Sequence, residues 1–158
     1  MQPEAWLLVR HGLAALLVAL ICGFGLVWAL IGGVSLSPLP VFFEWAIPGT
    51  MAGWRTLHIG MLTNGIMAIA LGLVLNKVGL PAPRKRFVAL GTIIAIWGNF
   101  AFYFFGMFAA NRGLTMGANA QGPASLAGAL ALGPAIIGAI TLMAAVWVLL
   151  GAKGSEPE

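Results

Sequence analysis

The segment PGTMAGWRTLHIGMLTNG, residues 48–65, decides how this chain folds. A Pro48-Gly49 turn opens an apolar helix, and that helix carries His58 and Asn64 where lipid or packed side chains belong. Polar groups at membrane depth are costly unless they are bonded, so by default they mark a functional site. Working outward, each neighbouring segment either builds a bundle around this helix or supplies partners to it.

The chain has 158 residues, 61% hydrophobic and 8% charged, against about 45–50% apolar and 25% charged for soluble domains. Several runs reach the roughly 20 residues needed to cross a hydrocarbon core about 30 Å thick. The expected fold is therefore all-α: one integral membrane domain over residues 1–158, built as a four-helix bundle. Its spans are placed at 13–33, 52–78, 86–110 and 125–150. Residues 1–9 read as a short start, with Trp6 as an interfacial aromatic. Ser35, Pro38 and Pro40 end the first span, and the apolar link 41–45 is expected to lie along the interface. Gly79, Pro81 and Pro83 break the second span, and a polar, glycine-punctuated loop at 111–123 follows the third. Pro134 is expected to kink the fourth, and residues 151–158 form a polar tail.

Cys22 is the only cysteine, so neither an intrachain disulfide nor a Cys-x-x-Cys pair is available. The run after Arg10 and His11 is too long for a leader and lacks a small-x-small cleavage site, so it reads as an anchor. The formal charge of +4 comes from basic residues flanking apolar runs, which excludes a nucleic-acid partner and leaves a topology signal. Arg10, Lys77, Arg84, Lys85, Arg86 and Lys153 fall at one face and Arg55 and Arg112 at the other, which puts both termini in the cytoplasm. Small residues at spacing four, such as Ala131, Ala135 and Ala139, permit close helix approach.

Counting 1.5 Å per residue from the outer ends of spans two and three sets four polar residues in two layers. His58 and Tyr103 fall roughly 10 Å below the outer surface, and Asn64 and Asn99 near mid-membrane. His58 and Asn64 are about 120° apart on their helix and so face different neighbours, an arrangement that an oligomer with sites between subunits accommodates. Interhelical hydrogen bonding alone would account for any one of Asn64, Asn99 and Tyr103. Their convergence with Trp97 and Phe100 favours a pocket.

Zinc or copper would require further Cys, His or carboxylate ligands at this depth, and the sequence has none. Haem needs one protein ligand, because the porphyrin supplies four nitrogens. The other histidine, His11, is expected at the cytoplasmic edge, on the order of 20 Å from His58, so a haem on His58 would keep its sixth position open. Arg55, one turn outward on the same face, can pair with a haem propionate, and Arg112 is a second candidate. Both are also placed for interfacial snorkelling.

Pro48-Gly49 before Gly53-Trp54, then His58 and Asn64-Gly65, together with Trp97, Asn99, Phe102-Tyr103 and the Asn111-Arg112-Gly113-Leu114-Thr115 loop, resemble the styrene oxide isomerase family. Gly117, Asn119 and Gln121-Gly122-Pro123 extend the similarity. The resemblance implies an enzyme of a bacterial inner membrane that binds ferric haem b and converts aryl epoxides to arylacetaldehydes. It implies a homotrimer with haem at the subunit interfaces, His58 as axial ligand, Tyr103 and Asn64 orienting the epoxide, and Asn99 in the polar network around them. The run 100–105 and the short acidic tail depart from the family pattern. Two other classes stay open on sequence: a haem-binding anchor or electron-transfer subunit, and a non-catalytic membrane module.

Overall fold

The computed structural model describes residues 1–154 as four long helices: α1 (Pro3–Ile31), α2 (Met51–Asn76), α3 (Ala82–Gly106) and α4 (Leu126–Leu150). All four are long and apolar enough to cross a membrane, as expected for an all-α bundle. The last residues of the polar tail lie outside the described residues.

Local chemistry sets each helix end. α1 begins at Pro3, well before Leu13, because proline suits the first helical turn and Glu4 favours the N-terminal end of the helix dipole. The segment expected to be a short start is thus helical. Gly32, at φ 72°, ends α1 in the left-handed conformation that glycine adopts without steric cost. Thr50 caps α2, its Oγ1 accepting the Gly53 N–H at 2.9 Å. The Trp54 indole donates to the Pro48 carbonyl at 3.0 Å and ties down the turn before the helix. Ser125 caps α4 in the same way, accepting from Gly128 N–H at 3.1 Å. α3 stops at Gly106, short of the expected Ala110. The apolar link between α1 and α2 forms a small antiparallel hairpin, β1 (Gly33–Ser35) with β2 (Phe42–Glu44), in which Gly33 faces Glu44 and Ser35 faces Phe42. Three-residue strands carry too little alternation to be read from sequence.

The helices pack as two hairpins, α1 with α2 and α3 with α4, and α2–α3 contacts join them. Lipid supplies no hydrophobic force between helices, so close backbone approach at small residues holds each seam. A Cβ on Gly12 would stand 2.8 Å from the Gly65 carbonyl oxygen, and one on Gly65 would stand 2.8 Å from that of Gly12. Across α3–α4, Gly91 lies on the Thr141 carbonyl and Gly98 on that of Pro134, and Thr141 Oγ1 donates to Gly91 O at 3.0 Å. Ala15, Ala19, Leu57, Met61 and Ile96 make one buried cluster, and Leu8, Leu75 and Val88 belong to a second towards the opposite end. Large exposed side chains such as Phe24, Ile66 and Trp147 form the surface offered to lipid.

Gly65→Leu should lower the thermal midpoint in detergent, at a cost of about 1–3 kcal/mol from overpacking. Gly133→Ala, which meets open space, should hold or raise it by up to about 1 kcal/mol. Equal losses in the two variants would contradict the seam.

Candidate functional site

The mid-membrane layer forms through α2 and α3. Asn99 Nδ2 donates to Asn64 Oδ1 at 2.9 Å, and Asn64 Nδ2 donates to the Gly60 carbonyl at 2.8 Å. Asn64 is buried, with one amide hydrogen left over. Among the described residues no buried side-chain nitrogen or oxygen lacks a hydrogen-bond partner.

His58 turns to α1. Its Nδ1 lies 2.8 Å from the Ala19 carbonyl oxygen, and a carbonyl can only accept, so Nδ1 is the donor, and in the neutral ring Nε2 carries the lone pair. Gly23 makes room for the ring: a Cβ there would come 3.2 Å from His58 Nδ1 and Cε1. Trp54, one turn earlier on α2, lies on Gly25 in the same seam.

Tyr103 lies elsewhere. Its ring covers Gly60, at a distance that would not admit a Cβ on that residue. Positions 58 and 60 are about 200° apart around α2. The expected stacking of His58 with Tyr103 therefore does not occur within one protomer, although the counted depths bring Asn64 to Asn99. Counting the rise along a helix gives depth but not which neighbour a residue faces. Tyr103 lines a cleft of about 170 Å³ with Thr56, Phe102, Met107, Arg112 and Leu114. Thr56 spends its proton on the Ala52 carbonyl at 2.9 Å.

Both arginines are exposed: Arg55 on α2, and Arg112 in the loop after α3, where it is among the residues lining the Tyr103 cleft. Arg112 has φ 58°, a conformation few residues other than glycine adopt. Asn111, fully buried, holds the turn by accepting the Gly113 N–H at 3.1 Å and donating to the Thr115 and Gly117 carbonyls, each at 2.9 Å. Asn119 Nδ2 closes the loop onto the Asn111 carbonyl at 3.0 Å.

His11 is deeper than its expected place at the membrane edge. Trp97 Nε1 donates to its Nδ1 at 3.0 Å, and it neighbours Gly12, which packs on Gly65 at mid-helix. The helix starts at Pro3, so Arg10 and His11 lie inside it and do not bound it. His11 stands eight residues from Ala19, about 12 Å along α1, which is closer to His58 than expected. The seats at Ala19, Gly23 and Gly60 were not foreseen. Their signal in the sequence is a glycine or alanine among many in apolar helices. No cluster of three or more His, Cys, Asp or Glu occurs among the described residues, whereas a porphyrin iron needs a single imidazole.

The family model described as styrene oxide isomerase matches residues 4–153. The chain belongs to the styrene oxide isomerase family. A styrene-oxide isomerase from Pseudomonas fluorescens is 39% identical over 141 residues, covering 88% of this chain and 82% of that one. Membership of the styrene oxide isomerase family carries a membrane-embedded, isomerase-type activity.

The Asn64–Asn99 bond is measurable by a double-mutant cycle. Asn64→Leu and Asn99→Leu, alone and together, should give a coupling of about 0.6–1.7 kcal/mol in unfolding experiments. A coupling near zero would dissolve the layer.

Proposed function

We infer that this protein isomerises aryl epoxides such as styrene oxide to arylacetaldehydes by a 1,2-hydride shift (the Meinwald rearrangement), with ferric haem b held on His58. The observation that carries this reading is the His58–Ala19 bond, which leaves Nε2 as an unprotonated donor set in the space beside Gly23. That donor fits a group needing a single protein ligand. When bound, haem b supplies a Lewis acid for the epoxide oxygen. The name of the Pseudomonas relative supports the substrate class.

The chain's own residues do the rest. The Tyr103 hydroxyl makes no hydrogen bond among the described residues and is free to donate to the oxirane oxygen. Asn64 adds its remaining amide hydrogen, and Asn99 fixes the orientation of Asn64. Together they hold the oxygen so that the benzylic carbon–oxygen bond opens. Phe102, Met107 and Leu114 keep water from trapping the benzylic cation as a diol. Arg55, on the His58 side of α2, would pair with a haem carboxylate. Arg112, the second candidate for that pairing, stands on the Tyr103 side.

Because His58 and Tyr103 occupy opposite sides of α2, one protomer does not bring both to one substrate. A homotrimer with haem at each subunit interface does so, with His58 facing the partner subunit's Tyr103. In this reading both termini are cytoplasmic in a bacterial inner membrane.

His58→Ala should abolish the Soret band and epoxide turnover together. Tyr103→Phe should keep the Soret band and lower kcat about a hundredfold. Gly23→Val, which crowds the imidazole, should weaken haem retention while leaving Tyr103 untouched. Full turnover by colourless protein, or reversible haem reduction without any turnover, would overturn the assignment.

A further inference from the structure

A second hollow, of about 350 Å³, lies where α1 ends and α2 begins, and neither His58 nor Tyr103 lines it. Trp28, Trp45, Trp54, Phe104 and Phe108 wall it together with Ile21, and no charged residue lines it. Gly23, which seats the His58 ring, and Gly25, which lines the hollow, are about 200° apart around α1. Phe104 stands about 100° from Tyr103 around α3. The hollow is therefore distinct from both functional rings. It is nonetheless close to the Tyr103 cleft. Met107 packs on Gly49 and Gly53; Gly53 and Met107 line the cleft, whereas Pro48 and Trp54 line the hollow.

Its walls are held in place. The Trp54 ring lies so near Gly25 that a Cβ there would come 2.6 Å from two of its carbons. The Trp54 indole N–H is spent on the Pro48 carbonyl at 3.0 Å, so ring and turn fix one another. Phe108 meets Phe104 edge to face with centroids 5.5 Å apart, and Phe104 stacks on Phe100 at 5.7 Å. An interfacial belt needs tryptophans at the bilayer surface but no concavity. Here three of them and two phenylalanines surround one, of a size suited to a small molecule. Without charge, the hollow selects by shape and ring contact. An acyl chain gains only buried area there. An aromatic ring gains that area together with offset and edge contacts to its walls. We propose that this hollow binds neutral monoaromatic molecules and holds the aryl epoxide beside the Tyr103 cleft before it reacts. The holding role rests on the isomerase reading. The binding itself does not.

The probe is 4-bromoethylbenzene, whose bromine quenches indole fluorescence on contact, titrated into the detergent-purified protein. In the wild type the quenching should saturate. Its midpoint should lie about two- to tenfold below that of 1-bromo-4-ethylcyclohexane, which has the same skeleton without an aromatic ring. 1-Bromododecane, standing in for a lipid chain, should quench without saturating. Ile21→Phe fills the hollow from an exposed position and should raise the midpoint about tenfold. Phe108→Leu keeps an apolar wall but removes a ring, and should shrink the preference for the arene. Both positions are exposed, so the thermal midpoint should not move in either variant. In epoxide turnover Ile21→Phe should raise KM while leaving kcat and the Soret band unchanged.

Quenching that never saturates, equal midpoints for the arene and its cyclohexyl analogue, or a midpoint unmoved by both variants would overturn the proposal. Saturable quenching by 1-bromododecane at the same concentration would give the hollow to a lipid chain and also overturn it. An unchanged KM in Ile21→Phe would overturn the holding role. Ring-selective binding in a protein that turns over no epoxide would sink the isomerase reading and leave this site standing. An active isomerase whose quenching never saturates would do the reverse.

Discussion

In the hydrocarbon of a bilayer a polar side chain has only protein to bond with, and that scarcity organises this molecule. Asn64 is answered by Asn99 and the Gly60 carbonyl, His11 by Trp97, and His58 by the carbonyl of Ala19. The last pairing has chemical content. A histidine whose Nδ1 is held by a main-chain oxygen keeps one tautomer and one orientation, which sets what its other nitrogen can do. Helix backbone seldom has a carbonyl to spare for a side chain. Gly23 permits it here by letting the imidazole approach the α1 surface.

Glycine and alanine therefore serve two ends. At Gly12, Gly65, Gly91 and Gly98 they let helix backbones touch and build the scaffold. At Gly23 and Gly60 the missing Cβ makes room for a functional ring, that of His58 or Tyr103. Such a residue has two neighbours to satisfy, the helix and the ring: at Gly60 any larger side chain fails the second, and at Gly23 the imidazole would have to give way.

Much of the architecture was legible in the sequence because membrane thickness constrains helix length so tightly. Four apolar runs could only be four helices, and counting the rise from their ends was enough to match Asn64 with Asn99. Rotation was harder. Nothing in residues 51–65 states that His58 faces α1 while Gly60 faces α3, since both neighbours present small and apolar side chains. Arg10 and His11 looked like the boundary of a span because charge usually marks one. A tryptophan on another helix makes His11 tolerable inside, and sequence distance hides such a partner. The left-handed backbone at Arg112 was equally hidden, since Gly113 beside it suggests a turn without saying which residue bears the unusual angle.

The polar pairs also differ in where they act. His58–Ala19 lies within the α1–α2 hairpin, whereas Asn64–Asn99 and His11–Trp97 run between that hairpin and α3. Each hairpin closes its own backbone seam, and the two halves meet through contacts of α1 and α2 with α3. The two amides and the indole–imidazole pair act there as keys, rejecting any alignment that slides one half along the other.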